Sequence, residues 1–278
     1  MKVNKTLKKI WLFCLRNYFI LIFFACIAFV GLVSFYKLFI SKPTFVYVKV
    51  KVGQGSWWAS TQKPSMWFVN AIYNAKQEKD LTDKPIVEVQ NVTYYPLVYS
   101  NSTLSQFDIY ITAKLKVSKL GSGGKYNFNR STIGVGSPID FEFSSVQYSG
   151  TITDLSTQPI IPQYIEKTVY LTKKYAYPWE YDTIQIGDFL NNGKDKIFEV
   201  IDKNQSDNNE IATTEFGKLS SLESTELRKY ISIKAKIKVE IINDQFVFAE
   251  EQIITPGRLI NLATPHYAFS DFIVSKVE

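Results

Sequence analysis

Cysteine and histidine are nearly missing from this chain of 278 residues. The two cysteines, Cys14 and Cys26, both sit in the N-terminal segment. No disulfide can therefore staple the rest of the chain, and no thiolate can ligate metal or attack a substrate there. A single histidine, His266, excludes a multi-histidine metal site, and a Ser-His-Asp arrangement would have to centre on it. It reads as a surface or half-buried structural residue. Acidic residues are absent from residues 1–44, which carry Lys2, Lys5, Lys8, Lys9, Arg16, Lys37 and Lys42. Removing those seven leaves 25 basic residues against 26 acidic ones, so the formal charge of +6 belongs to the N-terminal segment alone. A nucleic-acid footprint is not expected on a body of net charge −1. A phosphate-cradling loop is lacking too: Gly124-Lys125 has Lys119 where a glycine is needed and Tyr126 where Ser or Thr is needed.

Long apolar runs are also scarce, with one exception. Residues 18–36, YFILIFFACIAFVGLVSFY, carry no charge over nineteen positions. At ~1.5 Å per residue such a helix crosses most of a ~30 Å hydrocarbon core, which predicts a membrane helix over residues 18–40. Five basic residues precede the run and Lys37 and Lys42 follow it. That bias places the tail, residues 1–17, in the cytoplasm and the body outside the membrane. A cleaved signal peptide would have a shorter apolar stretch and a small-residue cleavage site.

What the chain has in plenty is aromatic and β-branched residues, with 20 Phe, 17 Tyr and 5 Trp, a strand-favouring composition. Ile109 to Val117, IYITAKLKV, alternates strictly between an apolar and a polar face, the period of a half-buried strand. Ile231 to Val239, ISIKAKIKV, repeats it with six identities in nine, 122 residues later. IVEV at Ile86 answers IFEV at Ile197, and Gly136, Ile139, Tyr148 and Ile152 match Gly257, Ile260, Phe269 and Ile273. Ordered landmarks at a near-constant spacing indicate an internal duplication. The expected fold is all-β, with a first unit at 45–155, a connector at 156–166 and a second unit at 167–278. Each unit is a small barrel or sandwich, or the two interlock as one pseudo-two-fold barrel. Pro64 to Ala75 is expected to be a short helix with Pro64 in its first turn. Asp202 to Thr214 is expected to be a solvent-facing loop.

Candidate binding residues fall into two groups. Trp57, Trp58 and Trp67 form an aromatic cluster behind the anchor that serves either as a partner surface or as a core cap, and Trp179 and Tyr181 at the matching place favour the cap. Lys114, Lys116, Lys234 and Lys236, with Lys49, Lys51 and Lys238, line polar strand faces. They could meet an anionic surface, but are read first as keeping strands soluble. The carboxylate pairs Asp140/Glu142, Asp182/Asp188 and Glu250/Glu251 read as solvated, and Asn191, Asn192, Asp195, Asp202 and Asp207 do not meet a calcium-loop spacing. Neither a cofactor nor a catalytic residue nor a small-molecule substrate is indicated.

The basic tail, single anchor and short strands, together with Ile186-Gly187-Asp188 followed by IFEV, resemble a group of bacterial single-pass envelope proteins of unknown function with small repeated β domains. A looser likeness is to the β domains of membrane-fusion adaptors, without their long helical hairpin. The resemblance brings no catalytic residues, and the chain as a whole is read as a non-catalytic, membrane-anchored binding or scaffolding protein of a cell-envelope complex, with a protein partner or self-association. The alternatives are an accessory subunit of an export or secretion machine and, more distantly, a wall-modifying hydrolase using a carboxylate pair.

Overall fold

The computed structural model describes residues 17–35, 44–53, 64–80, 83–98, 106–120, 124–207 and 228–278. It divides into Met1–Thr44 and a body, Phe45–Glu278. In the first part α1 (Tyr18–Phe35) is helical over 18 residues. Among the described residues no helix is long and apolar enough to cross a membrane.

The body is built from two repeats with the same element order. The first runs β1 (Thr44–Val52), α2 (Met66–Asn74), β2 (Gln77–Lys79), β3 (Pro85–Pro96), β4 (Phe107–Leu120), β5 (Lys125–Phe128), β6 (Ser131–Ile133), β7 (Pro138–Glu142) and β8 (Gln147–Ser156). The second runs β9 (Tyr164–Ala176), α3 (Pro178–Thr183), β10 (Phe189–Asn191), β11 (Lys196–Asp207), β12 (Lys229–Ile242), β13 (Gln245–Phe248), β14 (Gln252–Ile253), β15 (Leu259–Ala263) and β16 (Ala268–Val277). Each repeat folds into a curled half-barrel of eight strands. The orders are β2-β3-β4-β1-β8-β7 and β10-β11-β12-β9-β16-β15, with hairpins β5–β6 and β13–β14 extending from β4 and β12. The protein is therefore all-β with duplicated units.

No ladder joins the two sheets among the described residues. IYITAKLKV, in β4, lies between β3 and β1, and ISIKAKIKV, in β12, lies between β11 and β9. Each long strand is saturated by its own repeat, so the single pseudo-two-fold barrel gives way to two half-barrels.

Several local expectations shift. The link between β8 and β9 is only 157–163, because β9 starts at Tyr164 and pairs with β12 from that residue onward. Pro64 precedes the N-cap Ser65 of α2 and is not part of its first turn. Asp202 to Asp207 is strand, not loop: despite its polar composition it pairs with Lys234 to Lys229 of β12, and residues 208–214 lie outside the described residues. Ile152 corresponds to Val274, not Ile273. Gly136 and Gly257 donate their N–H groups to the carbonyls of Ile152 and Val274, both at 2.8 Å, and both of those side chains are fully buried.

The half-barrels close through side chains where a ladder is missing. β2 and β7 are the two ends of the first sheet, and Glu78 on β2 accepts the Glu142 N–H of β7 at 3.2 Å. In the second repeat Asp188, just before β10, accepts the Thr264 hydroxyl just past β15 at 3.2 Å. Gln252 of β14 adds a two-point clasp on β15, accepting the Asn261 N–H at 2.9 Å and donating to its carbonyl at 2.6 Å. Such plugs occupy backbone groups that an open edge would offer to another chain.

Two predictions follow from this packing. A Cβ on Gly150 would stand 2.5 Å from Val50 Cγ1 and 2.6 Å from the Lys51 carbonyl oxygen. Gly150→Ala should therefore force β8 off β1 and lower unfolding stability in urea by about 1–3 kcal/mol. Glu78 is buried, and burial, its largest influence, holds its carboxyl above the ordinary 4.5, although the Glu142 amide pulls the other way. A raised folded-state value means that its contribution is present below pH 4.5 and lost as pH rises through the folded value. Glu78→Gln, which keeps the acceptor, should match the wild type near pH 4 and be the more stable at pH 7, read by thermal midpoints; a variant less stable at pH 7 contradicts this.

Candidate functional site

The outer faces of β4 and β12 begin from nearly the same sequence and end in different surroundings. On β12 burial alternates as the sequence predicts, with Ile231, Ile233, Ala235 and Ile237 inside and Lys234 and Lys236 exposed. On β4 the alternation fails at Tyr110 and Thr112, which are buried although they face away from their own core. The second repeat covers them. Tyr95 of β3 and Tyr110 of β4 belong to the hydrophobic cluster built on the second repeat, with Phe248, Ile254 and Leu262.

The covering element is the turn between β13 and β14. Ala249 and Glu250 both adopt left-handed backbone, with φ of 51° and 70°. That conformation costs a residue with a Cβ roughly 1–2 kcal/mol. It swings Glu250 into the junction, where Lys49 donates to its carboxylate at 2.8 Å and the Tyr95 hydroxyl lies at 3.4 Å. Neither member of the ion pair is more than 12% exposed. Beside it Lys51 donates to Glu251 at 2.5 Å and lies 3.9 Å from Asp108. Burial first, then the Glu250 charge, pushes the Tyr164 hydroxyl up to about 12. Tyr95 and Tyr110 are raised further, by burial and by the Glu250 and Glu251 carboxylates. All three therefore stay neutral at ordinary pH. A second contact is made by backbone. The Tyr94 N–H donates to the Asn192 carbonyl at 3.1 Å, and Gly193, at φ 96°, leaves room for the Tyr94 ring, whose Cε1 would be 2.6 Å from a Cβ there.

Beside these bonds lies a half-open cavity of about 260 Å³. Its floor is Tyr47 of β1, Gln90 and Asn91 of β3 and Thr112 of β4; its wall is the link from Pro159 to Pro162; its rim holds Lys194 of the second repeat.

The remaining candidates are placed as follows. Trp57 and Trp58 lie outside the described residues. Trp67, on α2, is 73% exposed, so it is not a core cap. Trp179 occupies the equivalent position on α3, is 58% exposed and stacks with Tyr177 at 6.4 Å. Lys114 pairs with Glu88 at 3.3 Å, Lys116 with Asp80 at 3.6 Å and Lys236 with Glu166 at 3.0 Å, while Lys234 lies over the Tyr170 ring. The lysine stripe is thus mostly spent on ion pairs within each repeat, and Lys49 and Lys51 are buried at the junction instead of keeping a strand face wet. His266 sets Nδ1 2.5 Å from Asp188. Glu180, buried beneath Trp179, meets Lys173 at 2.6 Å and accepts the Tyr267 hydroxyl at 3.0 Å. Among the described residues no hydroxyl or thiol joins His266, and no group of three metal-ligating side chains forms. The Asn192 side-chain oxygen accepts the N–H groups of Lys194 and Asp195, Asp195 pairs with Lys238 and Asp207 with Lys229, so these oxygens serve turns and ion pairs.

Taken singly, Tyr95, Gln90 and Lys194 carry no signal that singles them out in the sequence, and Glu250, expected to be solvated beside Glu251, is instead drawn into the junction by Lys49, its side chain 7% exposed. Two signals pointed at the junction: tyrosines on the polar face of β3 and β4, and Ala249-Glu250 where the first repeat has the turn-favouring Asn129-Arg130, at φ of 46° and 70°. No protein-family model, curated protein or solved structure matches the chain.

Glu250→Ala should leave Lys49 buried without its partner and destabilise the body by about 3–5 kcal/mol, with the Lys49→Ala, Glu250→Ala double variant losing less than the sum of the two. A double-mutant cycle in urea measures the coupling, and strict additivity would remove the pair from the account of the junction.

Proposed function

We propose that this is a non-catalytic, membrane-anchored protein whose extracytoplasmic body binds or scaffolds partners within a cell-envelope complex. The observation that carries this reading is the matched exposure of Trp67 and Trp179 on the cap helices of a body whose repeats are clamped by the largely buried Lys49–Glu250 ion pair. Each aromatic is kept in both copies without being needed by either core. Large rigid side chains of this kind lose little freedom on docking and are favoured anchors at protein interfaces. The clamp sets the two caps on one stiff platform, which lowers the ordering cost of engaging both at once. Anchoring rests on the apolar run containing α1 and on the basic residues before it.

Two measurements test the reading. Protease added to sealed cells stripped of outer layers should digest the body; digestion only after lysis would place the body inside and end the proposal. Gentle solubilisation should recover a reproducible set of partners that Trp67→Ala plus Trp179→Ala loses while the thermal midpoint stays within a few degrees. A homo-oligomeric ring as the sole species would favour the export-subunit alternative, and turnover of wall fragments abolished by a carboxylate substitution would overturn both.

A further inference from the structure

We propose that the cavity between the repeats binds a single acidic sugar residue. The inference needs only the cavity and stands apart from the partner surface proposed above.

The floor is shaped by a β-bulge. The β3–β4 register passes from Val89 opposite Ala113 to Asn91 opposite Thr112, which leaves Gln90 as the extra residue. Bulges re-aim side chains and recur beside functional sites. Here the two consecutive carboxamides both line the cavity, next to the Thr112 hydroxyl and the Tyr47 ring. Among the described residues no hydrogen bond or ion pair engages the side chains of Gln90, Asn91, Thr112 or Lys194. Lys49, Lys51, Lys114, Lys116, Lys236 and Lys238, by contrast, all have carboxylate partners.

The lining selects its ligand by chemistry. Two carboxamides and a hydroxyl supply both donors and acceptors, the demand made by neighbouring sugar hydroxyls. No carboxylate lines the space, so a cation gains nothing, while the Lys194 ammonium at the rim favours a negative group. Ile160, Ile161 and the flanking prolines, with the Tyr47 ring, offer an apolar wall to the C–H face of a pyranose. At about 260 Å³ the cavity lies below the usual ~300–1,000 Å³ of drug-sized pockets, which suits one ring and not a chain of them. The duplicate lacks the set: Ile201, Asp202 and Lys234 stand where the first repeat has Gln90, Asn91 and Thr112. The link is also single, so the site exists only where the repeats join.

Saturation-transfer NMR and calorimetry on the full chain in detergent micelles would use glucuronate, with glucose as the neutral counterpart and acetate as the charge-only probe. Glucuronate should bind with a roughly millimolar dissociation constant and glucose about tenfold more weakly. Lys194→Ala, on an exposed loop, should erase that preference. Asn91→Ala should weaken glucuronate about tenfold, with an unchanged thermal midpoint confirming that both variants are folded. A uronate disaccharide that binds as well as the monomer would mark a polymer end as the source, and one that fails to bind would mark a free sugar; either keeps one ring in the cavity. No glucuronate binding, equal affinity for glucose, acetate displacing glucuronate at equal concentration, or wild-type affinity in both variants would each overturn the proposal.

Discussion

The carboxylate of Glu250, carried inward on a left-handed turn to meet Lys49, is the contact on which the rest of the body depends. Both partners give up water to form it, and desolvation on that scale costs several kcal/mol per ion before any attraction is counted. The compensation is local and identifiable. The ammonium and carboxylate meet at 2.8 Å, the Tyr95 hydroxyl faces the same carboxylate, and Glu251 takes up Lys51 alongside. Removing one charge therefore harms more than removing both. The backbone strain at Ala249 and Glu250 belongs to the same account. The first repeat has the same turn geometry, but builds it from Asn129 and Arg130, both exposed. Asparagine tolerates that conformation; alanine and glutamate adopt it here with the junction holding them.

The contact is head to tail, since the outer face of one repeat receives a turn of the next. Such contacts can in principle propagate, adding a third repeat or a second molecule. The second outer face differs at each position that matters. Tyr170, between the buried Val169 and Leu171, stands where Lys49 stands between Val48 and Val50. Ser206 and Ser232 replace Tyr95 and Tyr110, and Lys234 replaces Thr112. The aromatic cover and the acid-capturing lysine are gone, leaving a surface suited to water. Terminal members of repeat arrays are polar on their outward face for the same physical reason.

The strands and the duplication were legible because burial of one face imposes a period of two on the residues that make it, twice over in β4 and β12. Within the body, the misread places share one cause. Tyr110 and Ser232 look alike in a polar alternation, and only a contact with a turn more than a hundred residues later separates them. Asp202 to Asp207 has loop composition, but β12 supplies a ladder for it. Identity pairs Ile152 with Ile273, whereas the bonds from Gly136 and Gly257 pair it with Val274, one residue on. A one-residue slip exchanges the faces of a strand, which is why Ile273 is 43% exposed and Val274 fully buried.

A duplicated chain carries its own control. What both copies share, such as the buried faces of the alternating strands and the left-handed glycine turns before β7 and β15, is accounted for by the half-barrel itself. What they share and leave exposed, Trp67 and Trp179, is not, because a ring more than half in water adds little to the core beneath it. What they do not share is equally informative. The bulge is common to both, at Gln90 and Ile201, so it is a property of the fold; the carboxamides it presents occur only in the first repeat, beside the link and Lys194. Closure of the sheets obeys the same division. Each repeat ties one edge to the other by a buried carboxylate, Glu78 or Asp188, but the bonded groups differ, a backbone amide in one and the hydroxyl of Thr264 with His266 in the other. The two copies differ where side chains, and not ladders, do the joining. The junction is the largest such place, and it is where two copies of one fold have acquired a surface that neither has alone.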